Sequence, residues 1–434
     1  MKRLESLLLC TFIFLLPISS TARTWYMAVD GSDKNPGTIQ KPFATLPHAQ
    51  AQMGRGDTLM IRGGKYHIDN YTGIHENIYA VIFEISKSGY SVLNPTCYFG
   101  YPGERPEFDL SGVKPQGYRV AGFYLLGDYI HLKNFDITGI QVTITAHTQS
   151  ENIAVRQGNH DITIEDISIH DGMGIGVYIT KGSDILVLNC DAYNNYDSVS
   201  EDGMGGNSDG FGSHCSAEYT GNVFRGCRAW CNSDDGFDLI GQRTSVTIEN
   251  CWAFFNGYKD FKSITPGDGN GFKAGGYGKR PLQAPIDAPR HIIRNCLAYG
   301  NKSIGFYSNH HLGGNDWINN TALRNKYDYM MVNQISWDIA EDVAGYGHVL
   351  MNNIALTGDG RHYAAIDESK CTLVNNAIFT DDIQATPEDF ENFTDFLQLT
   401  EPRKKDRSLP DITFLKLRKS SPLSSRQMGY QFKP

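Results

Sequence analysis

The sequence predicts an all-β protein, a solenoid of the parallel β-helix type, and one repeated block carries that prediction. The block approximates the pattern apolar-x-Asn-Cys-x-Ala-aromatic-x-Asn, and its clearest copies read LNCDAYNN, RGCRAWCN, ENCWAFFN and RNCLAYGN. Apolar residues alternate along these stretches, as in VTIENC, which is the periodicity of a β-strand. Short strands and turns at one coil per period indicate parallel coils stacked about 4.8 Å apart.

The spacing of the block gives a base period of about 23 to 25 residues, interrupted by longer gaps. We place its Cys position, in successive copies, at Phe135, Ile167, Cys190, Cys227, Cys251, Cys296, Thr321, Ile354 and Ala377. A gap of 37 residues separates Cys190 from Cys227, and a gap of 45 separates Cys251 from Cys296. Extra residues in a solenoid coil form loops on one face, often the binding face.

An asparagine precedes the Cys position in most copies of the block. These asparagines are Asn134, Asn189, Asn250, Asn295, Asn320, Asn353 and Asn376. Asn tolerates the left-handed backbone conformation and hydrogen bonds to its neighbours. We therefore predict an Asn ladder at a tight corner of the solenoid.

The N-terminus has the three parts of an export signal. Lys2 and Arg3 supply positive charge, residues 7–16 form an apolar run, and residues 20–22 form a small-residue cleavage site. We predict a signal peptide at residues 1–22, a mature chain beginning near Arg23, and a secreted or periplasmic protein. The alternatives are a membrane anchor or a buried helix. The apolar run is too short to span a bilayer, and we expect no membrane insertion by any later segment.

Nine cysteines occur in the chain, and exported proteins commonly pair cysteines as disulfides. Four of them occupy the repeated block, which predicts one inward-facing column of free thiols in the core. These four are Cys190, Cys227, Cys251 and Cys296. For four others the sequence leaves both the disulfide and the free thiol open, namely Cys97, Cys215, Cys231 and Cys371.

Residues 23–434 read as a single domain, because no linker-like composition divides them. Residues 23–70 predict an N-terminal cap, with a short helix at about 46–52 and a strand at 58–61, since a solenoid needs its open ends covered. Residues 380–434 break the repeat and predict an irregular tail against the outside, with a short amphipathic helix at 387–397. We expect a monomer.

Composition and charge exclude several classes of partner. The chain has 434 residues, of which 40% are hydrophobic and 20% charged, as in soluble globular proteins. A formal net charge of -9 argues against binding to nucleic acid or anionic membranes. The same charge opposes an acidic polymer as substrate, unless a bound cation reverses it locally.

Three Gly-Phe steps mark the candidate site, in NSDGFGSHC, CNSDDGFDLIG and GDGNGFKAGG. Aligning the steps creates two polar columns, one before the Gly and one after the Phe. The first column holds Asp209, Asp235 and Asn270, and the second holds Gly212, Asp238 and Lys273. Because Asp234 adjoins Asp235, four carboxylates and one lysine recur in fixed phase over three coils.

Several carboxylates without His or Cys ligands favour a hard cation, and Ca²⁺ over zinc. We therefore predict a calcium site at Asp209, Asp234, Asp235 and Asp238. The alternative is a series of Asp-Gly turns. Unpaired carboxylates at this density would repel one another, which argues against that alternative.

Lys273 follows Asp238 by one coil and should point outward, since it alternates with the apolar Phe272. A lysine amine has a pKa of about 10.4 and is not a base at neutral pH. A divalent ion roughly 6 Å away disfavours its protonation by up to about 5 kcal/mol at an effective dielectric near 20. Lys273 then becomes a candidate base for a proton beside a substrate carboxylate. In the alternative reading it is only a salt-bridge partner.

The run SDGFG…GCRAWCNSDDGFDL…IENCWAFFNG…GNGFKAGG…NNTALRN resembles polysaccharide lyase family 9, the pectate lyase L type, over residues 26–379. The resemblance implies a right-handed parallel β-helix of about ten coils that binds calcium through the four aspartates and uses Lys273 as Brønsted base. It also implies β-elimination in a galacturonate-containing pectin backbone, an acidic pectic polysaccharide, with an unsaturated uronide product.

Two stretches depart from the pattern of pectate-specific members of the family, namely YSNHHLGG after Gly305-Phe306 and the pair Ser213-His214. We expect them to line the groove. The residues predicted to contact substrate are Asn270, Tyr307, Asn309, His310, His311, His214 and Arg243. Basic residues are sparse here, which slightly favours rhamnogalacturonan I, where galacturonate alternates with neutral rhamnose, over polygalacturonate.

Other functions stay open on the sequence alone. A β-helix glycoside hydrolase would use Asp234 or Asp235 as general acid and would leave Lys273 without a role. A noncatalytic calcium-binding solenoid would bind glycans without turnover. A purely structural solenoid would be destabilised by converging carboxylates.

Overall fold

The computed structural model describes residues 22–276, 287–356, 362–378 and 383–432. The predicted signal peptide lies outside the described residues, apart from residue 22. No helix in the described part of the chain is long and apolar enough to cross a membrane.

Short strands dominate the described residues. In chain order they are β1 Thr24–Met27, β2 Thr58–Ile61, β3 Gly64–His67, β4 Gly73–His75, β5 Tyr79–Ile85, β6 Thr96–Gly100, β7 Pro106–Asp109, β8 Arg119–Leu125, β9 Ile130–Thr138, β10 Glu151–Val155, β11 Asn159–His170, β12 Ile175–Ile179, β13 Gly182–Leu188, β14 Asp191–Tyr193, β15 Phe211–Ser213, β16 Val223–Arg225, β17 Arg228–Trp230, β18 Phe237–Asp238, β19 Thr247–Glu249, β20 Trp252–Phe254, β21 Tyr258–Lys259, β22 Ser263–Ile264, β23 Phe272–Lys273, β24 Ile292–Arg294, β25 Leu297–Tyr299, β26 Ile304–Tyr307, β27 Asp316–Ile318, β28 Thr321–Leu323, β29 Tyr327–Met330, β30 Asn333–Gln334, β31 Asp342–Val343, β32 Val349–Met351, β33 Ile354–Leu356, β34 Tyr363–Ala364 and β35 Thr372–Val374. The helices are α1 Leu46–Gln52 and α2 Pro422–Ser425, with 3₁₀ turns at Ser200–Gly203, Glu368–Lys370, Pro387–Asp389 and Phe396–Thr400.

The strands stack into two long sheets, which confirms the predicted parallel β-helix. One sheet has 20 strands, and the other has 11 in the order β34-β29-β26-β23-β18-β15-β12-β10-β8-β5-β4. Every pairing in the eleven-stranded sheet is parallel except β4 with β5. Two small antiparallel hairpins, β21–β22 and β30–β31, project from the coils.

A stack of buried rings runs along the inside of the eleven-stranded sheet. The aromatic residue of each Gly-Phe step faces inward, and consecutive ring centroids lie 4.9 to 5.1 Å apart. The stack consists of Phe211, Phe237, Phe272, Phe306 and Tyr329. Its spacing matches the distance between neighbouring strands, so it keeps the coils of this region in one phase.

The predicted cysteine column is correct up to Cys296 and wrong by one residue beyond it. Trp252 lies opposite Leu297, which aligns Cys251 with Cys296 as predicted. Leu297 then lies opposite Thr321, so the residue that continues the column is Asn320. The same shift applies to Ile354 and Ala377, which leave Asn353 and Asn376 in the column. The error arose in Asn-Asn doublets, where either Asn could fill the corner.

The left-handed corner is occupied as predicted at Asn134, Asn189, Asn250 and Asn295. In the doublets it is the first Asn that adopts positive φ, at Asn319, Asn352 and Asn375. The second Asn of each doublet turns inward. Asn320 Nδ2 donates to Ile293 O at 2.9 Å, and Asn353 Nδ2 donates to Trp317 O at 2.7 Å.

A second ladder forms at the last Asn of the block, where the sequence did not predict one. Its members are Asn195, Asn232, Asn256, Asn301 and Asn325. Each of the first four donates from Nδ2 to the Oδ1 of the next, at 2.9 to 3.1 Å. The ladder is fully or almost fully buried, so its unbroken hydrogen bonding is what makes a polar column tolerable in the core.

The eight cysteines in the described residues are free. Cys190, Cys227, Cys251 and Cys296 are buried in the core, which confirms the predicted thiol column. The other four are free thiols as well, although the sequence left a disulfide open for each of them; they are Cys97, Cys215, Cys231 and Cys371.

The C-terminal tail packs on the outside of the solenoid. Arg403 Nη2 and Arg228 Nη2 both bind Asp191, at 2.6 and 2.7 Å, and Arg228 also donates to Leu399 O at 3.0 Å. Apolar tail residues cover an outward aromatic patch that includes Trp252.

The helix predicted at residues 387–397 is wrong, because the structure has two separate 3₁₀ turns there. Asn392 Oδ1 accepts from the backbone amides of Thr394 and Asp395, at 3.0 and 3.1 Å. A side chain that captures local backbone donors in this way competes with helix formation.

A buried ion network lies on β10, two strands from the Gly-Phe stack. Glu151 is fully buried, and its Oε1 accepts from Tyr79 Oη and Arg156 Nη1, both at 2.9 Å. Its Oε2 has no hydrogen-bond partner. Burial raises the pKa of Glu151 to about 7, although the charge of Arg156 opposes the shift.

We expect Asn256→Ala to lower the free energy of unfolding by about 3 kcal/mol, because it leaves buried partners in the ladder unsatisfied. Equilibrium urea denaturation measures the loss, with the exposed Asn70→Ala as matched control. An equal, small change in both variants would show that the ladder does not stabilise the coils.

Glu151 should make stability depend on pH. Its folded-state pKa of about 7 exceeds its ordinary value of 4.5, so the unfolded chain releases the proton first as pH rises. Stability should therefore fall by on the order of 3 kcal/mol between these two values, and Glu151→Gln should abolish that part of the fall. Urea denaturation across this range, with exposed Glu388→Gln as control, tests it; identical pH profiles for wild type and Glu151→Gln would refute it.

Candidate metal and catalytic site

The two polar columns predicted from the Gly-Phe steps exist in the structure. Gly212 lies opposite Asp238, Asp238 opposite Lys273, and Lys273 opposite Tyr307. These residues belong to β15, β18, β23 and β26, which are consecutive neighbours in the eleven-stranded sheet. The buried Phe stack fixes this register, because a shift of one residue would turn a ring outward.

Three of the four predicted carboxylates form one tight cluster. Oxygen atoms of Asp209, Asp234 and Asp235 lie within 4.8 Å of one another, and all three side chains are buried. Asp238 does not belong to this group, although its charge acts on Asp209. Lys273 Nζ lies 3.1 Å from Asp235 Oδ2 and 3.3 Å from Asp238 Oδ2. The amine therefore bridges the cluster and the fourth carboxylate.

Neighbouring coils orient the clustered carboxylates through backbone donors. Asp235 N donates to Asp209 Oδ1 at 3.1 Å, and Asp268 N donates to Asp234 Oδ1 at 2.9 Å. Asn270 donates to Asp235 Oδ1 twice, from its backbone at 2.7 Å and from Nδ2 at 2.8 Å. One oxygen of each of the three carboxylates is thus held by hydrogen bonds within the fold.

The residues of the cluster fit a cation. Asp235 Oδ2 is buried and has no hydrogen-bond donor aimed at it, although the Lys273 amine is close. Three converging carboxylates with no imidazole or thiolate form an all-oxygen set of the kind that hard cations prefer. A buried Asp cluster able to hold a metal ion is therefore present at Asp209, Asp234 and Asp235.

The charges in the site are strongly coupled. Burial, followed by the charge of a neighbouring aspartate, holds the pKa of Asp209 and the pKa of Asp234 well above the usual range. Burial also raises the pKa of Asp235 to about 6, against the opposing charge of Lys273. Proton uptake by the cluster is thus the physical alternative to cation binding.

For the Lys273 amine, burial and the neighbouring charges shift the pKa in opposite directions. Burial alone would lower the pKa of its amine, but the negative charges of Asp235 and Asp238, then of Asp234 and Asp209, hold that pKa well above its usual range. The expectation of a neutral amine rested on a divalent ion. A cation bound in the cluster, or protons on its carboxylates, would offset the negative charges that stabilise the protonated amine.

Of the predicted substrate residues, Tyr307 and His214 lie beside the lysine and the carboxylates. Tyr307 is half-buried and in register with Lys273. His214 Nε2 lies 3.7 Å from Asp238 Oδ2, and its Nδ1 is 2.7 Å from Tyr178 Oη. Burial lowers the pKa of His214, so the ring is neutral at pH 7.

Two other predicted substrate residues serve the fold. His311 is buried, its Nδ1 accepts from Gly276 N at 3.0 Å, and its Nε2 bonds to Pro289 O. With both ring nitrogens committed, His311 has no hydrogen bond to offer a substrate, and the prediction for it is not supported. Asn270 likewise commits its amide to Asp235.

The remaining three predicted residues surround the site at greater remove. Asn309 is buried and donates from Nδ2 to Gly275 O at 3.0 Å. His310 Nε2 binds Asp342 Oδ1 at 2.9 Å. Arg243 is exposed, five residues beyond Asp238 in the chain.

Sequence reasoning missed Tyr178 and Lys302. Tyr178 lies opposite Gly212, which lies opposite Asp238, so Tyr178 is two coils before Asp238. The sequence GIGVY contained a signal for it, because its Gly176-Val177 step aligns with the Gly-Phe series. Lys302 Nζ donates to the backbone oxygens of Thr265 and Gly267, which holds the inserted loop before Asn270. Nothing in its sequence distinguishes Lys302 from a surface lysine.

Comparison with known proteins places this geometry in a family. Residues 25–353 match the family model described as Pel9A-like, right handed beta helix region. Pectate lyase L of Dickeya dadantii (strain 3937) is 32% identical over 93% of this chain and 86% of its own length. Pectate lyase PEL9 of Emericella nidulans is 30% identical over 69% of this chain and 73% of its own length.

Two solved structures agree with the sequence relatives. A rhamnogalacturonan lyase superposes with a TM-score of 0.89 at 43% identity, over 94% of this chain and 99% of its own. The pectate lyase Pel9A superposes with a TM-score of 0.71 at 31% identity, over 93% of this chain and 91% of its own. The chain is therefore a polysaccharide lyase with a right-handed parallel β-helix, and it belongs to the Pel9A-like family, polysaccharide lyase family 9.

Proposed function

We propose that this protein is a secreted, calcium-dependent lyase that cleaves a galacturonate-containing pectin backbone by β-elimination. One observation carries the proposal: the Lys273 amine lies 3.1 Å from Asp235 and 3.3 Å from Asp238, beside a buried three-carboxylate cluster. A base next to a cation site suits elimination from a uronic acid, because the cation can neutralise the substrate carboxylate while the base removes the adjacent proton.

In the proposed reaction, neutral Lys273 Nζ takes the proton from carbon 5 of a galacturonate. The C–H electron pair forms the double bond between carbons 4 and 5, and the bond from carbon 4 to the leaving oxygen breaks. The electron pair of that bond stays with the oxygen, which takes a proton from water and becomes the hydroxyl group of the released chain. Bound Ca²⁺ would pair with the substrate carboxylate, which acidifies the proton on the adjacent carbon. The product is an unsaturated uronide at the new chain end.

The residues of this chain have separate roles in the proposal. Asp209, Asp234 and Asp235 hold the cation, with Asp238 beside the amine. Asn270 positions Asp235 through its two hydrogen bonds and so acts as a positioning residue. Tyr307 lies opposite the lysine on the next coil, His214 lies beside Asp238, and both are proposed to contact the sugar.

Rhamnogalacturonan I is the proposed substrate, with polygalacturonate as the alternative. The relative named rhamnogalacturonan lyase shares 43% of residues with this chain, against 31 and 32% for the pectate lyases Pel9A and L. Of the residues predicted to contact substrate, Arg243 is the one with a permanent positive charge. A polymer in which every second sugar is neutral needs fewer cationic contacts than polygalacturonate.

A glycoside hydrolase is the less favoured alternative. It would use two carboxylates as acid and base or nucleophile and would leave the Lys273 amine, which lies between Asp235 and Asp238, without a role. A noncatalytic glycan-binding solenoid would likewise give the buried amine no function. We propose a single domain over residues 23–434 that acts as a monomer outside the cytoplasm.

Ultraviolet absorbance tests the reaction directly. We expect a calcium-dependent rise on incubation with rhamnogalacturonan I, a slower rise with polygalacturonate, and none with a chelator, because the absorbance reports the unsaturated product. New reducing ends without absorbance would indicate hydrolysis and would overturn the elimination.

The matched variants in that assay are Lys273→Ala and Lys259→Ala. We expect Lys273→Ala to lose at least a thousandfold in kcat, within the range of a lost general base, while keeping the folded structure as judged by circular dichroism. Lys259 is exposed in the same insertion, and its variant should keep full activity. More than a few per cent of activity in Lys273→Ala would exclude it as the base.

Calcium binding is tested on the cluster itself. Asp209→Asn keeps the shape of the side chain but removes one charge, so we expect calcium affinity to fall by at least tenfold in calorimetric titration. The exposed Asp260→Asn in the nearby insertion should bind as wild type does. Unchanged affinity in Asp209→Asn would show that the aspartate is not a ligand.

A further inference from the structure

A small hairpin projects from the coil that follows the site residues. It consists of β30 and β31, joined by a turn at residues 335–341. Ile335 N donates to Glu341 O at 3.1 Å, and Ser336 Oγ bonds to Asp338 Oδ1 at 2.6 Å. The turn is thus ordered by its own hydrogen bonds, so the side chains it presents are held in place.

The base of the hairpin is attached to the segment that carries Tyr307. Ser308 Oγ donates to Val332 O at 2.6 Å, and His310 N donates to the same oxygen at 3.0 Å. His310 Nε2 binds Asp342 on β31 at 2.9 Å. Tyr307 lies opposite Lys273, and Met330 lies opposite Tyr307. The hairpin therefore follows the strand two coils from the lysine, and its base is attached to the coil between them.

The tip of the hairpin exposes three large apolar side chains. The exposed fractions are 43% for Ile335, 38% for Trp337 and 47% for Ile339. Three such residues within five positions are unusual on a soluble surface and indicate a binding site. An aromatic ring with one open face is suited to packing against the C–H groups of a sugar.

The charge of the hairpin limits which sugar can lie there. Residues 335–343 contain Asp338, Glu341 and Asp342 and no lysine or arginine. Three carboxylates repel a uronate, and its desolvation against apolar side chains would add to the cost. A neutral sugar faces neither penalty, and a 6-deoxy sugar adds a methyl group that can be buried.

We propose that this hairpin forms a subsite for a neutral 6-deoxyhexose of the same backbone whose galacturonate reacts at Lys273. The inference rests on the proposed function and deepens it, because it assigns the preference for an alternating backbone to specific residues. Trp337, with Ile335 and Ile339, contacts the deoxy sugar, and the acidic residues exclude a uronate from the same position.

Trp337→Ala tests the subsite on rhamnogalacturonan I. We expect KM to rise about tenfold with kcat within twofold of wild type, because the contact is made equally in the ground and transition states. Leu93→Ala, at an exposed apolar residue of the N-terminal region, is the matched control and should leave both constants unchanged. Unchanged KM in Trp337→Ala, or a loss confined to kcat, would overturn the proposal.

Charge reversal tests the exclusion of the uronate. Asp338→Lys should raise kcat/KM on polygalacturonate at least fivefold and leave the rate on rhamnogalacturonan I within twofold. No gain on polygalacturonate would show that the acidic tip does not set specificity.

A binding measurement separates this inference from the proposed reaction. In Lys273→Ala protein, tryptophan fluorescence should change on adding a rhamnogalacturonan I oligosaccharide, and the change should disappear in Lys273→Ala/Trp337→Phe. A change that persists would overturn the subsite alone. Absence of absorbance on both polymers with wild-type enzyme would overturn the proposed function, while a wild type active only on polygalacturonate would overturn the subsite and leave the elimination standing.

Discussion

The parallel register of the coils is the constraint on which the rest of this structure depends. Two buried ladders hold it, one of stacked rings at the Gly-Phe steps and one of asparagine amides at the end of each block. A shift of one residue would turn a ring outward and would also separate each amide from its partner in the next coil. The rings supply most of the buried apolar area, and the amides add hydrogen bonds that must be satisfied inside the core.

Because the register between coils is fixed, residues at equivalent positions of successive repeats lie side by side and can form one site. Residues that are 26 to 35 positions apart in the chain meet as neighbours, as Asp209, Asp235 and Asn270 do. The insertions before Asp209 and Asn270 add length to the coils without disturbing the register, because the extra residues leave as loops. One such loop is tied down by Lys302, which keeps the backbone donor of Asp268 on the carboxylate of Asp234.

The site carries an excess of negative charge that its own residues do not neutralise. Four carboxylates and one amine leave a net negative charge in a buried volume, where charge is costly unless it is paired. Protons or a cation must complete the balance. The same carboxylates that attract a cation keep Lys273 protonated without one, so cation binding and the availability of a base are linked through the same atoms.

The sequence by itself determined the solenoid, the free thiol column, the two polar columns and the lysine that follows them, because these depend on a repeat whose period is visible in the chain. Tertiary structure decided the rest. It resolved the Asn-Asn doublets, in which the first Asn takes the corner, because only one register lets the second Asn bond inward. It bonded both ring nitrogens of His311 to the backbone, grouped Asp209, Asp234 and Asp235 without Asp238, and added Tyr178 and the apolar hairpin. These depend on which atoms of a loop or neighbouring coil complete a hydrogen bond, and a repeat pattern does not encode the path of its insertions.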